Sequence, residues 1–179
     1  MAASERTIVF TNGQAQNISL PIGKYTYVSS TIPGYTDATV EGFEIRENTK
    51  RVELSITANG RLKVHVIDDL DEEIVSGSLQ FSDSTGKTTY GAPAVINKGY
   101  ATFKNVPYDE SEGINVWISQ PASDDTHDPI KTPQAEVLTE AESTAVIINK
   151  RETSTVDIAL EDHNYPGIAG LTGSITFMG

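Results

Sequence analysis

Residues 61–67 read RLKVHVI. Leu62, Val64 and Val66 alternate with Arg61, Lys63 and His65. That is the period-two pattern of a half-buried strand, with one apolar and one polar face. The same grammar recurs along the chain. Strands are expected at 78–82 (SLQFS), 94–97, 100–104, 114–120 (INVWISQ), 134–138, 144–149 and 155–160. Upstream, strands are expected at 7–11, 15–20, 24–29, 40–45 and 51–57, and at the far end over 174–178 (SITFM). Turn residues separate them: Asn12-Gly13, Pro33-Gly34, Asn59-Gly60 and Lys98-Gly99. No segment shows a convincing helical period, beyond a turn or so over 137–143. Many short strands with frequent turns predict an all-β chain of two antiparallel, immunoglobulin-like or prealbumin-like β-sandwich units. Trp117, the only tryptophan, is the expected core anchor.

Part of the chain is written twice. Residues 43–57 (FEIRENTKRVELSIT) match residues 147–161 (IINKRETSTVDIALE) at one offset, with Thr49 on Thr153, Val52 on Val156, Leu54 on Ile158 and Ile56 on Leu160. Residues 13–21 (GQAQNISLP) match 99–107 (GYATFKNVP), with Gly13 on Gly99, Ala15 on Ala101 and Pro21 on Pro107. The N-terminal copy is read as lacking a counterpart to the two opening strands at 60–69 and 76–83. The terminal segment 173–177 (GSITF) resembles the opening strand 60–64 (GRLKV) but has no unit behind it. The expected organisation is a partial sandwich over 1–58, a complete one over 59–162, and a linker with a terminal strand over 163–179. Unpaired strand edges seek partners. Ser174, Ile175, Thr176 and Phe177 are therefore the expected assembly strand, pairing in cis or adding to a neighbouring subunit.

Composition narrows the role. The chain has 179 residues, 37% of them hydrophobic and 21% charged, which is globular usage. Lys and Arg number 13 against 25 Asp and Glu, a net charge of −12. That balance disfavours nucleic acid and anionic membranes, both of which need clustered cations. There is no cysteine, so disulfide and thiol chemistry are excluded. Residues 1–30 show no charged segment followed by an apolar run, so no secretory signal is expected, and no stretch has the length of a membrane span.

Residues 60–66 (GRLKVHV), 99–107 (GYATFKNVP) and 145–150 (AVIINK) resemble the collagen-adhesin B-type (Cna-B-like, prealbumin-like) domains of Gram-positive surface proteins and pilins. The resemblance covers about 100 residues, plus the partial N-terminal copy. It implies a possible internal Lys–Asn isopeptide bond, whose matching positions are Lys63 and Asn149. The assisting carboxylate should lie on the strand at 114–120, which carries no acid; Gln120 stands nearest. Without that acid the lysine amine is not activated, and Lys63 falls on the polar face. No isopeptide is expected. A second resemblance, to immunoglobulin-like or Cna-B-like auxiliary proteins of tailed-phage heads, rests on the acidic balance, the spare terminal strand and the missing signal.

Catalytic signatures are missing from the sequence. His65, His127 and His163 stand in no metal spacing, and no nucleophile elbow or phosphate loop is present. The acidic stretches 68–73 and 124–128 read as solvated turns, the second without the residue order of a calcium loop. Tyr25, Tyr27, Tyr35, Tyr90 and Tyr108 divide between core and a contact surface. The expectation is a non-enzymatic structural protein without cofactor or metal. Its first assignment is a virion decoration protein that docks on a capsid or self-associates as a homo-oligomer, assembled in the host cytoplasm. The alternative is a fragment of a Gram-positive surface adhesin or pilin at the cell surface.

Overall fold

The computed structural model describes residues 5–35, 38–160, 163–164 and 173–177. It is all-β, with twelve strands and no helix among the described residues. Eight strands build one sandwich: β5 (Gly60–Asp68), β6 (Ser78–Ser82), β7 (Thr89–Val95), β8 (Tyr100–Val106), β9 (Ile114–Ala122), β10 (His127–Asp128), β11 (Gln134–Leu138) and β12 (Glu142–Arg151). One sheet has the order β10-β12-β5-β8 and the other β11-β9-β6-β7. All pairings are antiparallel except β12 on β5, which is parallel and runs from Glu142 beside Arg61 to Asn149 beside Asp68.

Alternation assembles the core. β5 turns Leu62, Val64 and Val66 inward, each fully buried, and exposes Arg61 and Lys63. β8 adds Ala101 and Phe103, and β12 adds Ala145 and Ile147. From the facing sheet come Leu79, Ala94, Ile118 and Leu138. Phe81 stacks on Phe103 with ring centroids 4.1 Å apart. Side chains of this size release about 1.5–3 kcal/mol each on full burial, so this layer carries the stability. Trp117 is a correction to the expected core: it is only half-buried, because Ile118 takes the inward position and the next residue along a strand must face out. No helical turn forms over 137–143: Val137 and Leu138 belong to β11, and Glu142 and Ser143 to β12. The acidic stretch 124–128, expected as a solvated turn, contributes the short strand β10.

Residues 5–58 do not close a second sandwich. They form β1 (Gly23–Tyr25) on β3 (Phe43–Ile45), and β2 (Thr39–Val40) on β4 (Ile56–Thr57). Tyr25 stacks on Phe43 at 5.0 Å. Gly34 lies close to Pro107 and Ile114 of the sandwich: a Cβ there would sit 3.0 Å from the Pro107 ring.

The internal repeat is visible as geometry. Thr11 and Gln14 exchange backbone hydrogen bonds of 2.9 and 3.1 Å around Asn12-Gly13, both at positive φ (50° and 72°). Asn97 and Tyr100 do the same at 2.8 and 3.1 Å around Lys98-Gly99 (48° and 77°). Such turns need positive φ at both central residues, which Asn-Gly supplies at little cost. The spacing between the two turns is the one that relates Gly13 to Gly99. In the sandwich this turn joins β7 to β8. In the N-terminal copy the residues on either side, 7–11 and 15–20, form no strand, against expectation. Their counterparts β7 and β8 pair with β6 and β5, and no equivalent of either lies beside the N-terminal copy among the described residues. A strand with no neighbour has no ladder to join. The same holds at 155–160, also expected as a strand, where Val156, Ile158 and Leu160 are exposed and unladdered.

Candidate functional site

The polar interior lies at one end of the sandwich, where β5 and β12 finish side by side. Asp68 continues the inward series of β5 and is fully buried. Its Oδ1 accepts the backbone N–H groups of Leu70 and Glu72, each at 2.8 Å. Its Oδ2 accepts from Arg151 Nε at 2.5 Å and faces His127 Nε2 at 3.4 Å. The other nitrogen of His127 meets Asp124 Oδ1 at 2.6 Å, and Arg151 also pairs with Glu72. Next to this cluster, Asn149 Nδ2 donates to Gln120 Oε1 at 2.6 Å and to the Asp128 carbonyl at 2.8 Å. Gln120 Nε2 returns a bond to Asn149 Oδ1 at 3.3 Å, while Gln120 Oε1 also accepts from the Ile130 N–H at 2.9 Å.

These contacts set the charges. Burial pushes the Asp68 carboxyl up, but the Glu72 N–H, Arg151, the Leu70 N–H and His127 outweigh it and hold it below the usual carboxylate range. Asp124 is lowered too, since His127 and Thr126 overcome its desolvation. Burial disfavours a charged His127, yet Asp124 and Asp68 raise it above the usual imidazole value. Two carboxylate partners thus favour the charged form of His127 over the neutral one. Four donors occupy both oxygens of Asp68, so no acceptor site is left over for substrate or cation. The arrangement clamps the segment carrying Asp124, His127 and Ile130 to the ends of β5, β9 and β12. Chemically it is saturated, and its work is structural.

The residues singled out from the sequence separate accordingly. Lys63 points outward and lies over the Tyr100 ring, 3.9 Å from its centroid. Asn149 points inward. In the parallel register Lys63 stands beside Thr144 and Asn149 beside Asp68, five residues on, or about 16 Å. The two cannot meet, so no isopeptide bond forms between them. Gln120 does sit against Asn149, as the resemblance placed the assisting group, but as a neutral amide. His65 stacks on Tyr100 at 4.5 Å and lies 3.6 Å from Glu73. His163 is exposed. Neither acidic stretch is simply a solvated turn: Asp68 is buried and Asp124 bonds His127. No group of metal-ligating side chains occurs among the described residues. Alternation could have found Asp68, since 62, 64, 66 and 68 share a face. Nothing local could have found its partners, which lie 59 and 83 residues away.

Ser174, Ile175, Thr176 and Phe177 join no sheet among the described residues. Ile175 and Phe177 are 59% and 76% exposed. Near the other end of the chain, Val9, Thr11, Gln14, Ala15, Gln16 and Ile18 line a shallow open concavity of about 300 Å³.

No family model and no curated protein matches this sequence. Solved structures align with part of the chain. The minor pilin GBS52 of Streptococcus agalactiae aligns at 9% identity and a TM-score of 0.46, over 68% of this chain and 63% of that one. A streptococcal ancillary pilin aligns at 12% identity and 0.42, over 75% and 44%. The major pilin subunit BcpA of Bacillus cereus aligns at 17% and 0.40, over 54% and 32%. The chain thus spans less than two thirds of each of these pilins. All three are pilins, and each aligns at a TM-score below 0.5.

Proposed function

We propose that this chain is a non-enzymatic structural module of a multi-subunit assembly at the bacterial cell surface, related in role to pilins and adhesins. One observation carries the reading. In the flanking segments Val9, Ile22, Val28, Val156, Ile158 and Phe177 are each more than 60% exposed, while the sandwich holds a buried apolar core. Apolar side chains in strand-forming segments without strands mark surfaces that another chain covers. The sandwich then serves as a spacer, and the flanks provide the contacts. The saturated polar clamp supports a mechanical role for the sandwich.

A second reading, a decoration protein on a phage head, is favoured by the separation of Lys63 from Asn149. It removes the internal crosslink that the surface-protein resemblance implies. Two measurements decide between them. Surface assembly requires antibody against the sandwich to label intact producing cells. The virion reading requires the chain in purified particles by mass spectrometry. A chain found only free in the cytosol, and in neither preparation, would overturn both.

A further inference from the structure

We infer that residues 173–177 of one copy pair, antiparallel, with residues 15–20 of a second copy, and that this head-to-tail strand addition builds the assembly. The inference rests on the assembly reading and names its partner as the same chain. The sandwich itself supplies the template. Residues 173–177 replicate the start of β5, and residues 13–21 replicate β8 with its preceding turn. In the sandwich those two strands are hydrogen-bonded neighbours, with Leu62 opposite Phe103, Lys63 opposite Thr102 and Val64 opposite Ala101. Carried over, Ile175 lies opposite Asn17, Thr176 opposite Gln16 and Phe177 opposite Ala15. Among the described residues, neither replica is paired with the strand that the other would provide.

Three features of the fold support this pairing. The Asn12-Gly13 turn already holds residues 14 onward as the Lys98-Gly99 turn holds β8. The open concavity lies along Gln14, Ala15, Gln16 and Ile18. The side chains that would face inward, Ile175 and Phe177, are exposed in the single chain. Both segments are described in that chain and share no ladder with each other, so the partner strand comes from another copy. A tail-to-head contact is heterologous and propagates into a ring or a filament. The template is not copied throughout: the left-handed asparagine of β8 is Asn105, whereas that of the N-terminal segment is Asn17, two residues before the equivalent position. The ladder is therefore anchored by Phe177 and Thr176.

The natural chain has no cysteine, so crosslinks report directly. Full-length chains carrying Gln16→Cys or Thr176→Cys are mixed and oxidised, and the double variant is oxidised alone. Paired strands bring the two Cα atoms within disulfide reach. The expected result is a mixed dimer of the two single variants and a ladder of multimers from the double variant, both reversed by reductant. A control pairing Ser84→Cys with Thr176→Cys should give neither. Closed monomers from the double variant would show cis pairing and overturn the inference. So would crosslinking no stronger than the control at the highest soluble concentration. Either failure leaves the assembly reading intact if the chain is still found on cells or particles.

Discussion

Replacing Asn149 by Ala should cost the sandwich about 3 kcal/mol, and the amide pair with Gln120 is the reason. Three hydrogen bonds end on the Asn149 side chain. At a net worth of about 1 kcal/mol each they sum to about 3 kcal/mol, and Gln120 Nε2 is left buried without its partner, which adds to the loss. Gln120 cannot turn over to compensate, because its Oε1 is held by the Ile130 N–H. Asn149→Asp keeps the shape but sets an acceptor against the Gln120 oxygen and the Asp128 carbonyl, so it should cost at least as much. The double variant Asn149→Leu with Gln120→Met removes both polar partners and should cost at least about 1.5 kcal/mol less than the two single changes added together. Urea unfolding followed by Trp117 fluorescence measures this, because Trp117 lies on β9, the strand that carries Gln120. The midpoint should fall with the slope unchanged, and melting should drop by about 6–12 °C. A single-variant cost below about 1 kcal/mol, or strict additivity in the cycle, would refute the reasoning.

Other outcomes are as specific. The lowered carboxyls of Asp68 and Asp124 contribute stability that is present above about pH 4 and lost as pH falls through their folded values. Asp83, held down to about 2 chiefly by the Thr85 hydroxyl, extends that acid limb. The raised His127 contributes below about pH 6.5 and loses its contribution as pH rises through its higher folded value. Thermal melts should therefore decline on the alkaline side more in the natural chain than in His127→Gln, and equal slopes would contradict the clamp. Gly60→Ala should destabilise by about 1–3 kcal/mol, since its Cβ would overlap the Val106 carbonyl oxygen and press on Tyr108; an unchanged denaturation midpoint would contradict that. Ile118→Ala should cost about 2–5 kcal/mol and Trp117→Phe less than about 1, read by circular dichroism, and the reverse order would contradict the assigned faces. Intact mass should match the sequence without loss of an ammonia, whereas that loss would mean a crosslink the register forbids.

The strands were legible where alternation was strong. Ser78–Ser82 and Gln134–Leu138 appear with the bounds read from the sequence, and β5 exceeds the reading by one residue at each end. Strand-like stretches at 7–11, 15–20, 155–160 and 174–177 were equally legible as patterns but form no strands here. Residues such as Val156, Ile158 and Leu160 carry the propensity, yet propensity is realised only beside a partner. Of the polar clamp, only the inward parity of Asp68 and the proximity of Gln120 to the assisting position could be read in advance. By itself, then, the sequence determined the all-β class, the face that a strongly alternating strand such as β5 turns inward, and the duplicated turn, because these follow from residue-to-residue steric preference and period. Tertiary structure alone decided that β12 runs parallel to β5, that Asp68 meets His127 and Arg151, and that Lys63 never reaches Asn149. Those depend on which edges come together across tens of residues, and pairing across a sheet leaves no trace in local order.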